Sequence, residues 1–591
     1  MVFGKHINKY YKKYFWYFVF GILTLIFVDY IQLFIPKIVG SIVDALEKNG
    51  IGENNWTFLI TQVLYIVTIG CGMFFGRFLW RICIFGESVR IQADLRRDMF
   101  EKTEVLTQRF YKKNKTGALL AYFSNDLETL EEALGFGIVQ LVDGVFLLIM
   151  SIIKMVGINR NLTFIVLIPL GLLGISAFFI DRIMEAKYEK RQKAYEDMSD
   201  FAQESFTGIR VVKAFVKEKK ELHQFAKQAK KNKDANIGFV RTSCALDVIF
   251  DVLIYLVFGI ILFGGSYLVY LHISSKGDTG ISVGKLVEFV GYADTLIWPV
   301  FALASVINLI ARARTSYKRI SSLLDEEVEI VDDQVVIPDE IKGSIEFKNF
   351  NFAFPDDPEN NVLKDINISI NAGETIGIVG KIGSGKSTLV NMLFRLYNVE
   401  ENTLFIDGYD IMHLPVKLVR EVIGYCPQDN FLFSDTVRSN IAFSNPSIEQ
   451  EKVEAAAEFA CVKANIEDFS NKYDTLIGEK GVSLSGGQKQ RISIARAVIK
   501  DPKILVLDDS VSAVDVKTEE EILHNIKTQR KGKTTILLAS RVSTVKSLDK
   551  ILVLKDGKVD AFGTHDECLE KSRVYARMVE LQTLEKELEG E

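Results

Sequence analysis

Gly380-Lys381-Ile382-Gly383-Ser384-Gly385-Lys386-Ser387 is the stretch that decides the fold of the second half of this 591-residue chain. It matches the pattern GxxxxGK[ST], follows the apolar run 375–379 and precedes the helical run 388–396. Glycines in such a loop let backbone N–H groups turn towards a phosphate chain, and the N-terminus of the following helix favours the same negative charge. The sequence therefore predicts a nucleotide phosphate site between a strand and a helix.

The residues of this loop have roles that follow from their chemistry. Lys386 is expected to hold the β and γ phosphates of a nucleotide, and Ser387 to give its hydroxyl to Mg²⁺. A second apolar run, 504–507, ends in Asp508, the kind of acid that P-loop enzymes use as a second Mg²⁺-holding group. The predicted ATP-binding residues of the loop are Gly380, Lys381, Ile382, Gly383, Ser384, Gly385, Lys386, Ser387 and Thr388.

The residues around the loop have the pattern of an α/β domain. Short strand-like runs at 344–347, 375–379 and 503–507 occur between helical patterns such as 453–464. This alternation predicts an α/β domain over 341–591, preceded by an acidic linker at 325–340.

The N-terminal part of the chain, residues 1–324, has a different character. It contains six apolar stretches near the length of about 20 residues that crosses a bilayer, at 14–36, 57–80, 136–158, 162–181, 249–271 and 286–310. Four lysines precede the first stretch, so the positive-inside rule places the N-terminus in the cytosol, and an even number of spans returns the chain there. The long charged connections, 81–135 and 182–248, lack proline and have helical periodicity. The spans are therefore expected to continue as cytosolic helices.

Composition excludes several other classes of protein. Hydrophobic residues make up 48% of the chain and the mean hydropathy is +0.15, which is too apolar for an ordinary soluble protein of this size. The net charge of −5 gives no general electrostatic reason to expect a nucleic-acid partner. Six cysteines lie far apart without a CxxC pair, which argues against a disulfide framework and a zinc site.

The pentapeptide Leu484-Ser485-Gly486-Gly487-Gln488, upstream of Asp508, identifies a family resemblance. With it the whole chain resembles an ATP-binding cassette (ABC) exporter of the half-transporter type. The resemblance implies an all-α six-helix transmembrane domain followed by an α/β P-loop nucleotide-binding domain. It also implies that two cassettes stack head to tail, so that this pentapeptide contacts the ATP held by the partner's phosphate loop.

Further residues receive roles from the same resemblance. Gln428 matches the Q-loop glutamine, a Mg²⁺ ligand beside Ser387 and Asp508, and Phe354 matches the aromatic residue that stacks on adenine. The run Ser512, Ala513, Val514 and Asp515 matches the D-loop. Segments of the two long loops, near 116–126 and 204–215, resemble those that contain the family's coupling helices.

Two residues depart from the family pattern at the catalytic positions. Asp509 stands where the family has a glutamate base, and Ser540 stands where it has a histidine. A carboxylate shorter by one methylene retreats by roughly 1.5 Å, enough to slow a reaction that depends on position, and a serine brings no charge to the transition state. The chain thus resembles the degenerate-site subunit of a heterodimeric bacterial multidrug-type exporter. Its partner would be a second half-transporter with the intact Glu and His.

The expected function is ATP-driven export of drug, lipid or peptide substrates across the plasma membrane. The N-terminus and the nucleotide-binding domain are expected in the cytosol. Alternatives are a homodimeric exporter with slow ATPase activity, an exporter-fold siderophore importer, and an ATP-gated channel or regulatory subunit. Three acids inside predicted spans, Asp29, Asp143 and Asp294, are candidates for lining a substrate cavity, with interhelical pairing as the alternative.

Overall fold

A computed structural model describes residues 4–49, 53–275, 279–478, 484–511 and 514–589. The chain divides into two compact units. The first comprises Met1–Glu104 and Thr116–Glu326, and the second comprises Val105–Lys115 and Glu327–Glu591. A short segment from inside the predicted loop 81–135 therefore belongs to the second unit.

Helices form the described part of the chain up to residue 324 almost without interruption. They are α1 (Lys5–Lys13), α2 (Phe15–Gln32), α3 (Phe34–Asn49), α4 (Glu53–Val105), α5 (Gln108–Lys113), α6 (Thr116–Ala121), α7 (Leu127–Leu134), α8 (Phe136–Ile158), α9 (Arg160–Thr207), α10 (Ile209–Ala214), α11 (Glu218–Ser274) and α12 (Val283–Leu324), with a π-helical turn at Tyr122–Asp126. The first predicted span is interrupted at Leu33, between α2 and α3. Pro36 in the first turn of α3 has no N–H and cannot continue the hydrogen bonding of α2, which accounts for the break.

Five described helical stretches are long and apolar enough to cross a membrane. They are Phe15–Glu47, Trp56–Val105, Thr116–Ile158, Glu218–Ser274 and Val283–Leu324. Five of the six predicted spans fall on these stretches, and the fourth, 162–181, falls on a shorter described apolar stretch, Arg160–Ser176. That stretch is the first part of α9, which contains Pro169 and continues to Thr207.

The long loops are helical, as their periodicity predicted. The second predicted span runs on within α4 to Val105, and α9 and α11 extend through most of 182–248. The N-terminal α1 packs beside the extension of α4, where Lys13 Nζ donates to Asp94 at 2.7 Å and Lys9 pairs with Asp98. In the first loop Asp126 is buried and accepts from Ser316 Oγ at 2.8 Å.

The second unit contains two β-sheets. Its strands are β1 (Ile345–Ala353), β2 (Asn361–Ile370), β3 (Thr375–Gly380), β4 (Leu404–Ile406), β5 (Tyr409–Asp410), β6 (Ile423–Cys426), β7 (Ile504–Asp508), β8 (Thr534–Leu538), β9 (Lys550–Lys555) and β10 (Lys558–Gly563). The larger sheet has the order β10-β9-β3-β8-β7-β6, parallel except for β10, and the smaller has the order β2-β1-β4-β5, antiparallel throughout. The predicted strand runs at 344–347, 375–379 and 503–507 correspond to β1, β3 and β7.

The helices of the second unit cover the larger sheet. They are α13 (Lys386–Leu393), α14 (Val416–Val422), α15 (Val437–Ile441), α16 (Gln450–Phe459), α17 (Lys463–Glu467), α18 (Gly486–Val498), α19 (Val516–Gln529), α20 (Val542–Val545), α21 (His565–Lys571) and α22 (Arg573–Glu589). Successive side chains of a strand face opposite sides of a sheet, so β7 contributes Leu505 and Leu507 to one hydrophobic core and Ile504 and Val506 to another. A sheet buried on both faces explains why its strands are continuous apolar runs without alternation.

The topology decides where the site forms. The carboxyl ends of parallel strands meet at one edge of a sheet, where α/β folds bind ligands. Here that edge brings together the ends of β3, β6, β7 and β8, at Gly380, Cys426, Asp508 and Leu538.

Candidate nucleotide site

The phosphate loop connects β3 to α13, as the motif predicted. Gly383 and Gly385 have φ of +83° and +96°, a left-handed conformation that glycine adopts without strain. A Cβ on Gly385 would lie 2.8 Å from Leu363 Cδ2, so the loop also packs too closely for another residue. Ser384 Oγ is buried and has no hydrogen-bond partner among the described residues. These features fit a loop whose backbone surrounds phosphate oxygens.

Lys386 lies at the first position of α13 and points back over the loop. Its Nζ donates to the carbonyl oxygens of Gly380 at 2.8 Å and Lys381 at 3.2 Å. Burial lowers the pKa of Lys386, while the charges of Asp509 and Asp508 act in the opposite direction. A partly desolvated ammonium at this place is suited to neutralise phosphate charge.

Ser387 and Asp508, which the sequence predicts as Mg²⁺ ligands, lie next to each other in the structure. Ser387 Oγ donates to Asp508 Oδ1 at 3.3 Å. Burial raises the pKa of Asp508, and the hydrogen bond from Ser387 partly offsets this effect. Gln428 lines the same cavity, so hydroxyl, carboxylate and amide oxygens are available, which are the hard ligands that Mg²⁺ prefers. When bound, the ion neutralises charge on the β and γ phosphates.

The two departures from the family pattern lie in direct contact. Ser540 Oγ donates to Asp509 Oδ1 at 3.3 Å. Asp509 has φ of +48°, and its backbone is fixed on both sides: its N–H donates to Leu538 O at 3.0 Å and its carbonyl accepts from Gln490 Nε2 at 3.1 Å. Aspartate is one of the few residues besides glycine that are enriched in this conformation. The backbone that carries the carboxylate at the base position is thus fixed.

A cavity of about 620 Å³ unites most of the predicted site. Its predicted lining residues are Ile382, Gly383, Ser384, Gly385, Lys386, Ser387, Thr388, Gln428, Asp508, Asp509 and Ser540, and the lining also includes Val362, Leu538 and Ala539. Gly380 and Lys381 are not among the lining residues, although their carbonyls accept from Lys386. Leu538 and Ala539 directly precede Ser540 in the run that matches the family's histidine segment, but they were given no role, and Val362 belongs to no motif that could have identified it.

Phe354, the predicted adenine platform, lies in an aromatic cluster at the end of β1. Its ring meets those of Phe352 and Tyr397 edge-on, at centroid distances of 5.3 and 5.5 Å. Lys112 Nζ lies 4.6 Å from the Phe354 centroid and 5.7 Å from that of Tyr397. Sequence reasoning did not include Lys112 or Tyr397, because neither belongs to a local motif with Phe354.

The signature pentapeptide lies at the N-terminus of α18, and none of its residues lines the phosphate cavity. Ser485 is the N-cap, and its side chain and that of Gln488 form a capping box, with Ser485 N donating to Gln488 Oε1 at 3.0 Å. Leu484 is buried, while Ser485 and Gly486 are exposed and Gly487 is half-buried. The pentapeptide is therefore folded and accessible, at a distance from this chain's own phosphate loop.

Two further parts complete the surroundings of the site. In the predicted D-loop, Ser512 and Ala513 lie outside the described residues, Val514 is half-buried, and Asp515 caps α19 by accepting from Thr518 N at 3.0 Å.

Sequence reasoning missed Gln582 of α22. Its Oε1 accepts from Val542 N at 2.7 Å and its Nε2 donates to Ser540 O at 3.3 Å, so α22 supports the segment that carries Ser540.

Of the three acids predicted as cavity candidates, the structure brings two together. The carboxyl groups of Asp29 of α2 and Asp143 of α8 are buried close enough to interact, with Arg77 nearby, whereas Asp294 is exposed on α12. A separate apolar cavity of about 540 Å³ lies among α8, α9 and α12, and its lining includes Leu148, Gly171 and Val300 but none of the three acids.

Comparison with known proteins agrees with this architecture. The family model described as "ABC transporter transmembrane region" matches residues 18–300, and the one described as "ABC transporter" matches residues 363–512. The "Probable multidrug resistance ABC transporter ATP-binding/permease protein YheI" of Bacillus subtilis (strain 168) is 33% identical, covering 98% of this chain and 97% of its own. The "Multidrug resistance-like ATP-binding protein MdlA" of Escherichia coli (strain K12) is 32% identical, covering 96% and 95%. The solved structure of a bacterial Atm1-family ABC exporter with ATP bound is similar at a TM-score of 0.78 and 26% identity, over 97% of this chain and 98% of that one.

A helical membrane part followed by a P-loop α/β domain defines a transport ATPase of exporter architecture, and the predicted fold class is confirmed. The chain belongs to the ABC transporter family. It is accordingly an ATP-hydrolysing, multi-pass plasma-membrane protein with a cytosolic nucleotide-binding domain.

Proposed function

We propose that this protein is one half of a heterodimeric exporter of hydrophobic or amphipathic compounds, and that its own nucleotide site is hydrolytically impaired. In this proposal the chain binds ATP at its phosphate loop, and its signature pentapeptide completes a competent site on a different chain. The observation that carries the proposal is the contact between Asp509 and Ser540 in the phosphate cavity. Both residues replace the family's catalytic pair, whereas the binding residues are kept.

The residues of the site are suited to binding Mg²⁺-ATP but poorly suited to activating the water that hydrolyses it. Lys386, Ser387 and Asp508 supply the charge and the oxygen ligands for binding Mg²⁺-ATP. Activating water requires a base within about 2.6–3.2 Å of the proton it removes, and Asp509 is one methylene shorter than the usual base. Ser540 donates to the same carboxylate and so uses one of its lone pairs. ATP would remain bound at this site through many turnovers of the other.

Two observations support the substrate class. An open apolar cavity lined by aliphatic side chains lies among the described membrane helices, which suits hydrophobic cargo such as a drug, a lipid or a lipophilic peptide. The two relatives named above are described as multidrug-resistance or multidrug-resistance-like proteins. The acids Asp29, Asp143 and Asp294 lie outside the lining of this cavity, and for Asp29 and Asp143 we propose interhelical pairing as the main role.

The first experiment is the Mg²⁺-ATP hydrolysis rate of this chain purified alone in lipid, together with its affinity for ATP. Hydrolysis near background with retained ATP binding is the expected result. Brisk turnover by the chain alone would show that Asp509 suffices as the base and would overturn the heterodimer proposal.

Site assignment within the native complex needs a matched pair of variants. The complex is isolated from the native membrane through a tag on this chain. Lys386→Ala should weaken nucleotide binding at this chain's loop and spare much of the hydrolysis, whereas Gly487→Asp should abolish most of it. A greater loss of hydrolysis in Lys386→Ala than in Gly487→Asp would reverse the assignment of the two sites.

ATP-dependent accumulation of a fluorescent hydrophobic dye in inside-out vesicles tests export as opposed to import or passive conduction.

A further inference from the structure

The second unit contains a segment from the first long loop, Val105–Lys115, beside the aromatic cluster of Phe354. Arg109 fixes it there by two ion pairs, Nη1 to Glu329 Oε1 at 2.8 Å and Nε to Asp356 Oδ1 at 2.9 Å. Thr107 Oγ1 adds a hydrogen bond to Glu329 Oε2 at 3.1 Å. The hydrogen bonds that Arg109 donates to Asp356 and Glu329 raise the pKa of Arg109, so the guanidinium stays charged.

Asp356 belongs to the same connection between β1 and β2 as Phe354, so Arg109 holds the segment close to the ring. Lys112 lies one helical turn after Arg109 on α5, and residues three apart share a helix face. The same face of α5 therefore carries both the tether and the ammonium above the ring.

Lys112 occupies the open side of the Phe354 ring. Phe354 is half-buried and packs partly against the hydrophobic core, whereas the Lys112 side chain is exposed. We infer that the exposed ammonium, 4.6 Å above the centroid, covers the side of the ring that faces away from the core. A base stacks at van der Waals distance, and this is the space that the ammonium and the end of its stem fill.

We propose that Lys112 competes with the nucleotide base for Phe354 and thereby sets the affinity of this site for ATP. The inference rests on the proposed role of Phe354 as the base platform. Stacking of a base on an aromatic ring is stronger than the attraction of an exposed cation for the ring. The base therefore displaces Lys112, and its displacement removes one of the contacts that hold Val105–Lys115 against the cassette. Binding of a base at this site would then loosen the first long loop.

The test compares a ligand that has a base with one that has none. ATP and inorganic tripolyphosphate are titrated into the full chain in lipid nanodiscs with EDTA, which prevents hydrolysis. Lys112→Ala should lower the Kd for ATP about two- to fivefold, the factor that corresponds to an exposed cation on a ring, and leave that for tripolyphosphate unchanged. Lys113→Ala, the neighbouring lysine, is the matched control and should change neither Kd. An unchanged or weaker ATP affinity in Lys112→Ala would overturn the proposal.

A second variant separates this inference from the one on which it rests. Phe354→Ala should weaken ATP binding about five- to a hundredfold, the range for base stacking on an aromatic ring, with no change for tripolyphosphate. If ATP affinity is unchanged in Phe354→Ala, the assignment of Phe354 as the base platform is wrong, and the competition proposal fails with it. If Phe354→Ala weakens binding but Lys112→Ala does not tighten it, only the competition proposal fails.

Hydrogen exchange supplies the structural readout. In the wild-type chain, saturating ATP should speed amide exchange within Val105–Lys115, and saturating tripolyphosphate should not. In Lys112→Ala the exchange should already be faster before ATP is added. Equal exchange with and without ATP in the wild type would overturn the proposed release of the segment.

Discussion

Restoring the two catalytic positions, with Asp509→Glu and Ser540→His together, should convert this chain's own site into a competent one. The added methylene moves the carboxylate forward by roughly 1.5 Å, and a misplacement near 1 Å costs on the order of 100-fold in rate. The substitution at 540 also removes the hydroxyl that now donates to Asp509 Oδ1 at 3.3 Å. We therefore expect ATP hydrolysis at this chain's own site, within the complex with its partner, to rise by about 100-fold.

The structure also predicts what this change costs in stability. Asp509 has φ of +48°, and a glutamate held in the left-handed region pays about 1 kcal/mol more than in ordinary backbone. For a domain of this size that corresponds to a fall in Tm of about 2–4 °C. The double variant should thus be faster and slightly less stable.

The assay is phosphate release by the complex purified in lipid through a tag on this chain, with ATP affinity and Tm measured on the same preparation. Asp509→Glu and Ser540→His are tested singly as well, and the triple variant that also carries Lys386→Ala gives the hydrolysis that does not come from this chain's site. A double variant that folds and binds ATP but hydrolyses at the wild-type rate would refute the account of these two residues.

Three other predictions concern the same site. Lys386→Ala should weaken ATP binding by about 10- to 100-fold, as expected for losing charged hydrogen bonds, measured by titration in EDTA; an unchanged Kd would contradict the role of Lys386. Asp508→Asn should stabilise the metal-free chain, because burial raises the pKa of Asp508 and the folded state therefore loses stability as pH rises through that pKa. The Tm advantage of this variant should be larger at pH 8 than at pH 5, and a smaller advantage at pH 8 would contradict the assigned cause. Gln582→Ala should lower the free energy of unfolding by about 1 kcal/mol per lost hydrogen bond and so lower Tm modestly. It should also speed amide exchange at Val542, whose N–H donates to Gln582 in the wild type; unchanged exchange there would show that α22 does not support the Ser540 segment.

The parts of the site that could be predicted from the sequence are those encoded in short contiguous runs. The phosphate loop needs glycines at fixed offsets and a lysine at the start of a helix, so its eight residues predict a conformation by themselves. Asp508 was recognisable because a fully buried strand is a continuous apolar run and its end is visible in the sequence. Asp509 and Ser540 were recognisable only through the resemblance, and their contact joins the ends of two adjacent strands, β7 and β8.

The parts that could not be predicted are contacts between distant segments. Arg109 and Asp356 are 247 residues apart, and a single ion pair leaves no periodic signal in either segment. The pairing of Asp29 with Asp143 likewise depends on which faces of α2 and α8 meet, which hydropathy does not specify. The predicted fourth span shows the limit of counting apolar residues. Hydropathy locates the apolar part of α9, but the helix continues far beyond that part, to Thr207, so the end of the apolar run is not the end of the helix.

The attachment of Val105–Lys115 to the cassette has a consequence for the synthesis of the protein. Its partners Glu329 and Asp356 follow Arg109 by 220 and 247 residues. At a translation rate of about 5–20 residues per second, the ribosome needs roughly 10–50 s to reach them. During this interval the segment, with its exposed basic side chains, has left the ribosome but has nothing to bind. The helices on either side of the segment are therefore synthesised well before the residues that hold it, and the segment can bind only after the ribosome has made this part of the cassette.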